Sequence, residues 1–207
     1  LNNGQTGSVT FIGTVSPAGG NLKEPVTEST KKAARCFYAL NQNRADKKRY
    51  PAVDPIDSYS KYLDYPEIVQ YMSEHIAPDW VEKVLKAKNI VLRGKEAYEQ
   101  INILGDDGVP IAYHEIYWKS ELIDFVILQQ DAFDKIDSSC PMERQEYMLS
   151  LVLEACDAQK EFDTFEECST YYKGLINIFK QMNYSEFKSA EFDKYLSQIK
   201  NTISYDK

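Results

Sequence analysis

The chain has 207 residues, 43% of them hydrophobic, and a formal net charge of −8 at pH 7. That length suits one ordinary domain plus part of another, and an acidic chain without a dominant basic stripe argues against a nucleic-acid partner. No apolar run approaches the ~18 residues a membrane span requires. Cys36, Cys140, Cys156 and Cys168 show no C-x-x-C spacing and only His75 and His114 stand beside them, which speaks against a zinc site and for a reducing, cytoplasmic setting. The first residue is Leu rather than Met, which raises the expectation of a fragment.

From the N-terminal side, Ser8–Val15 is rich in β-branched and aromatic residues and predicts one buried strand. A lone strand needs sheet partners, and no other segment reads as one, so the strand is expected to belong to a truncated domain. Ser16-Pro17-Ala18-Gly19-Gly20 is a turn signal. Thr27 is an expected N-cap, and Ala33, Phe37 and Leu40 give one apolar helical face fading near Arg49. The basic run Lys31, Lys32, Arg35, Arg44, Lys47, Lys48 and Arg49 reads either as a solvated helix face or as a positive rim near phosphate or a neighbouring subunit. Pro51 and Pro55 then forbid a regular helix. The segment from Tyr50 to Ser60 reads as a hinge that holds the Tyr50 ring on a stiff backbone, with Asp54 and Asp57 as turn formers.

Beyond the hinge the patterns are helical. Pro66 opens a short helix with Ile68, Met72 and Ile76 inward. A long one runs from Asp79 through Gly94, a candidate kink, to the turn Leu104-Gly105-Asp106-Asp107-Gly108-Val109-Pro110. The helix after Pro110 is expected to present Gln129, Gln130 and Phe133 at its end, with His114 on an exposed face. Cys140-Pro141-Met142-Glu143 starts another helix, and Thr164-Phe165-Glu166-Glu167 is a capping-box pattern for the next. A last helix carries Phe192, Leu196, Ile199 and Ile203. The fold class predicted is mainly α: an irregular C-terminal helical bundle of about six or seven helices over residues 58–207. It is preceded, over residues 1–57, by one strand and one helix left from a truncated domain.

Three motifs carry a family resemblance. Tyr50-Pro51-Ala52-Val53-Asp54-Pro55-Ile56-Asp57-Ser58 resembles the Y-P-A-V-D-P-L-D-S segment of the F-type ATP synthase beta subunit. Ser16-Pro17-Ala18-Gly19-Gly20 with Glu24-Pro25-Val26-Thr27, and later Leu128-Gln129-Gln130-Asp131-Ala132-Phe133, resemble the S-P-x-G-G…E-P-V-T and F-L-Q-Q-N-A-F runs of the catalytic A subunit of V-type and archaeal-type rotary ATPases. The match covers nearly the whole chain but only the C-terminal part of that subunit.

The resemblance implies that the truncated domain is an α/β nucleotide-binding domain, and that the phosphate loop, the metal-ordering acid and the catalytic glutamate lie upstream of Leu1. No G-x-x-x-x-G-K-[ST] loop occurs here, so no catalytic and no metal-binding residue is assigned. It also implies that Tyr50 packs on adenine and Phe133 on its other side, with Gln130 and Ala132 at the pocket edge; Asp131 stands where the family often has Asn. Without it, Tyr50 and Phe133 read as hinge and core aromatics. The implied cofactor is ATP or ADP with Mg2+ in the full subunit, none bound tightly by the fragment. The implied partners are B subunits in an alternating ring and a central stalk that meets the loop Leu104–Pro110, the membrane being reached only through the ion-translocating sector. A helical interaction module without a nucleotide role, and a fragment of the F-type beta subunit, are the alternative readings.

Overall fold

In the computed structural model, which describes residue 4 and residues 6–204, the N-terminal stretch is where expectation and structure part first. Residues 6–17 carry no regular secondary structure. Val9, Phe11 and Ile12 are 98%, 91% and 87% exposed instead of buried. The physical reason is the missing ladder. Strand residues gain stability only against paired neighbours, and among the described residues the one sheet is a two-stranded pair elsewhere.

Helix α1 is short, Pro25–Ala33, with Glu24 rather than Thr27 at its N-cap. Thr27 lies one turn in, fully buried, and donates its hydroxyl to Glu24 Oε1 at 2.9 Å. The helix does not continue through Phe37 and Leu40. Strand β1, Cys36–Phe37, pairs antiparallel with β2, Tyr59–Ser60, in the register Cys36↔Ser60 and Phe37↔Tyr59. Between them Leu40 bridges Val53, and helix α2, Gln42–Asp46, is capped by Asn41, whose side chain accepts from the Asn43 N–H. The 36–60 segment is thus a closed hairpin with an internal helix. Asp54 serves it as a turn former: its Oδ1 accepts the N–H groups of Ile56 and Asp57 at 2.9 and 3.0 Å, and Asn41 Nδ2 donates to its Oδ2 at 2.7 Å. Burial opposes the Asp54 charge, yet these three donors together hold its carboxyl below the usual carboxylate range.

Six α-helices follow among the described residues: α3 Pro66–His75, α4 Trp80–Leu104, α5 Ile111–Ile123, α6 Met142–Asp157, α7 Phe165–Asn183 and α8 Ala190–Ser204. The fold is mainly α, as the patterns predict. No helix is long and apolar enough to cross a membrane among the described residues. Gly94 does not kink α4, which is one helix of 25 residues. It lets α5 approach: a Cβ at Gly94 would lie 2.1 Å from Ser120 Cβ. Gly105 ends α4 at φ 82°, a conformation glycine adopts without a Cβ penalty.

The core lies between α4, α5, α6, α7 and α8. Leu122, Val152, Leu175, Phe179, Phe192 and Ile199 are fully buried there. On α7 the buried face carries Tyr172, Leu175, Ile176 and Phe179, at helical spacing. Cys156 and Cys168 belong to this core; burial pushes both thiols up to about 12, which makes them packing residues and not nucleophiles. Arg144, also buried, donates to the last carbonyls of α7 at Met182 and Asn183, the latter at 2.6 Å, where a cation suits the helix C-terminus.

Thr164 caps α7 as expected, accepting from the Glu167 N–H at 3.2 Å. Glu167 reaches back to the N–H of Asp163, one residue before the usual capping-box partner, at 3.1 Å. Thr164→Ala should therefore cost about 1 kcal/mol, a loss of roughly 2–4 °C in Tm for a chain of this size. Thermal melting followed by circular dichroism checks it.

Candidate functional site

Helix α5 changes character at its end. Asp124–Leu128 continues it as a π turn, closed by the Gln129 N–H donating to the Asp124 carbonyl at 3.0 Å. Such wide turns recur at functional sites. After it the chain does not stay helical to Phe133. Asp131 Oδ1 takes the Phe133 N–H at 2.9 Å, and Asp134 Oδ1 takes those of Ile136 and Asp137, both at 2.8 Å. Aspartates that bond nearby N–H groups this way compete with helix, which is why the expected helix end is a loop.

That loop faces Tyr50. Together they line a cavity of about 430 Å3, within the size range of small-ligand sites. Tyr50, Gln130, Ala132 and Phe133 all border it. Tyr50 is 55% and Phe133 98% exposed, so neither is a core aromatic and both rings have free faces. Gln130 also stitches the walls: its N–H donates to the Tyr50 carbonyl at 2.9 Å, and its side-chain Nε2 to the Asp137 carbonyl at 2.6 Å. Asp131 donates its N–H to Asp137 Oδ2 at 2.6 Å. Asp131 therefore ties the loop together, and burial raises the Asp137 carboxyl above its ordinary value.

Several lining residues escape sequence reasoning. Phe125 comes from the π turn, Lys48 from the turn that follows the hairpin helix, and Lys180, Asn183 and Tyr184 from the end of α7. Asn183 Nδ2 donates to the Val126 carbonyl at 2.9 Å, serving a carbonyl of the π turn. Gln129 also borders the cavity, and its side-chain amide nitrogen is buried without a hydrogen-bond partner. A cleft that sets exposed aromatic faces beside polar side chains such as Gln130, Asn183 and Lys180 suits a flat, nitrogen-rich ring. Among the described residues no cluster of acidic, histidine or cysteine side chains is placed to hold a metal ion.

The basic run is not a uniformly solvated face. Arg44 and Arg49 fold inward onto the end of α5. Arg44 donates to both oxygens of Asp124 at 2.7 and 3.1 Å, and Arg49 to both oxygens of Glu121 at 2.9 and 2.7 Å while also reaching Asp124. Burial disfavours the Arg49 charge, but Glu121 and Asp124 outweigh it and raise its pKa. His114 is likewise not on an exposed face: it is 4% exposed, stacked on Phe165 at 5.4 Å between ring centres. One of its ring nitrogens is 3.0 Å from the Asp106 carbonyl, which steadies the turn after α4. That turn is open to solvent, with Leu104, Asp106, Asp107 and Pro110 exposed.

Comparison with known proteins agrees with this architecture. Residues 1–60 match the ATP synthase alpha/beta family, nucleotide-binding domain, and residues 69–172 match the C-terminal domain of V and A type ATP synthase. The V-type ATP synthase alpha chain of Protochlamydia amoebophila is 37% identical over 203 residues, 98% of this chain and 34% of the relative. That of Chlamydia abortus is 40% identical over 199 residues, 96% and 33% respectively. That of Borrelia duttonii is 36% identical over 203 residues, 98% and 33%. The chain thus spans about a third of the length of these curated relatives. By its helical half and by these relatives, the chain belongs to the V- and A-type ATP synthase family.

Proposed function

We propose that this chain is the C-terminal part of the catalytic A subunit of a V-type or archaeal-type rotary ATPase, and that its cavity holds the adenine of ATP or ADP. The observation that carries the reading is the meeting of Tyr50, Gln130, Ala132 and Phe133 around one cavity. Tyr50 and Phe133 would hold the base by their faces, with Gln130 and Ala132 at its edge. Mg2+ and the phosphates belong to residues outside this chain, because no phosphate-binding loop is present in it; by itself the chain is inactive in this reading. Residues 1–57 would be the end of the nucleotide-binding domain and residues 58–207 the helical domain.

The remaining roles follow from the same reading. The exposed turn Leu104–Pro110 joins α4 to α5, and α5 with its π turn runs to the cavity wall. Base occupancy at one end would be passed along this rigid element to a central stalk at the other. B subunits would alternate with this subunit in a ring, on the cytoplasmic side, with the membrane met only through the ion-translocating sector.

Tyr50→Ala tests the base site. In the intact catalytic subunit it should weaken adenine-nucleotide binding by roughly 1–3 kcal/mol, the usual worth of one aromatic–base stack. The melting temperature should change little, since Tyr50 is half exposed. Isothermal titration beside a thermal melt measures both; unchanged affinity would remove the base from this cavity.

A further inference from the structure

The cavity has two walls that are far apart in sequence: Lys48 and Tyr50 on the hairpin, and the 125–133 segment after α5. The hairpin wall belongs to a unit closed on itself. Besides β1–β2, the Asn41 N–H donates to the Ala52 carbonyl at 2.9 Å, the Asp54 N–H to Ala39 at 2.7 Å, and the Lys61 N–H to Arg35 at 2.9 Å. Two groups of bonds fix this unit to the other wall. On one side of the π turn stand the Arg44 and Arg49 pairs with Glu121 and Asp124, their side chains only 7–16% exposed. On the other side the Gln130 N–H holds the Tyr50 carbonyl. Between them the Arg49 guanidinium lies 4.8 Å from the centre of the Phe125 ring, itself part of the cavity lining.

We propose that Arg44 and Arg49 are positioning residues that lock the two walls into one rigid unit, so that the gap between Tyr50 and the Gln130–Phe133 loop is set before any ligand arrives. The proposal rests on the reading of the cavity as a base site for its consequence, though not for its mechanics. Residues Tyr50 to Pro55 then do not open and close the cavity as a hinge; the base clamp moves as a block. Arginine suits this task because its planar fork engages a carboxylate at two points and so fixes orientation as well as distance. Buried ion clusters add little net stability against apolar replacements, but they can select one arrangement. A preformed cleft also spares the ligand the cost of ordering its own site.

The test uses this chain with Cys36 and Cys140 replaced by serine and spin labels on cysteines at Asn43 and Lys135, one exposed position on each wall. Double electron–electron resonance should give a single narrow distance distribution that millimolar adenosine leaves unchanged. In the double variant Arg49→Lys with Glu121→Gln, which breaks the fork yet keeps a cation beside Asp124, the distribution should broaden. The affinity for adenosine should fall about tenfold, with the helical circular dichroism retained. Should that variant fail to fold, Arg44→Lys alone removes the two-point grip on Asp124 and should broaden the distribution in the same way. A distribution that stays narrow in the folded variant overturns the clamp, whether or not adenosine binds. A broadened distribution in a chain whose native form ignores adenosine upholds the clamp and overturns the base-site reading instead.

Discussion

Asp124→Ala should lower folding stability by about 3–5 kcal/mol, the range found when one partner of a buried ion cluster is removed and the opposite charge is stranded. The bonding pattern says why this residue matters most. Arg44 has both of its guanidinium contacts on Asp124, and its Nε is already buried without a partner. Removal of the carboxylate leaves that guanidinium in a site only 12% exposed and takes away both of its acceptor oxygens. Arg49 suffers less, because it keeps two bonds to Glu121. The contrast is Glu143→Ala, which removes a pair whose side chains are 67% and 70% exposed; solvent and salt already screen that charge, so little change is expected. Urea unfolding of the two variants beside the native chain checks the difference. A loss below about 1 kcal/mol for Asp124→Ala would mean that water replaces the carboxylate at no cost.

Gly94→Val should destabilise by about 3 kcal/mol, at the upper end of the usual cost of overpacking a close contact. The cost is steric. A side chain at Gly94 would begin 2.1 Å from Ser120 Cβ, 2.5 Å from its Oγ and 3.2 Å from the Ile116 carbonyl. None of these is the far end of a flexible side chain, so α4 and α5 must separate. On an exposed helix surface, replacing glycine by alanine would instead gain up to about 1 kcal/mol, so even the sign of Gly94→Ala is diagnostic. The double variant Gly94→Ala with Ser120→Gly should recover much of the loss, since it removes the nearest atoms from the facing helix. Chemical denaturation of the single and double variants forms a coupling cycle. Additive effects would show that the two helices do not meet at this point.

How much of this was legible in the sequence differs from element to element. Helix α8 repeats apolar residues at helical spacing, and Phe192 and Ile199 are buried with Leu196 and Ile203 packed beside them, as the spacing predicts; Thr164 caps α7 for the reason its sequence context suggests. The hairpin from Cys36 to Ser60 was not legible. Its strands are two residues long, too short for alternation, and Ala33, Phe37 and Leu40 imitate a helical face by chance of spacing. Ser8–Val15 has strand composition without a partner, and composition alone cannot bury it. The ion cluster was hidden because its partners lie 72 and 80 residues apart, and a run of basic residues looks alike whether it points to water or inward. Gly94 was visible as an anomaly within a helix, but the sequence does not tell a kink from a close approach.

The candidate site divides along the same line. Tyr50, Gln130, Ala132 and Phe133 stand out through motifs, and the fold brings them around one cavity. Phe125, Lys180, Asn183 and Tyr184 reach the same cavity from helices whose own patterns speak only of packing. Phe133 was expected on a helix and stands on a loop, because Asp131 and Asp134 capture the N–H groups that a helix would need.

The central claim is that this cavity receives an adenine ring, and a nuclear magnetic resonance titration of the chain tests it most directly. Millimolar adenosine should shift the signals of Tyr50, Gln129, Gln130 and Phe133 together and saturably, while inorganic tripolyphosphate, which has no base, should leave them in place. Shifts confined to other surfaces, or a response of these four residues to tripolyphosphate but not to adenosine, would contradict the account.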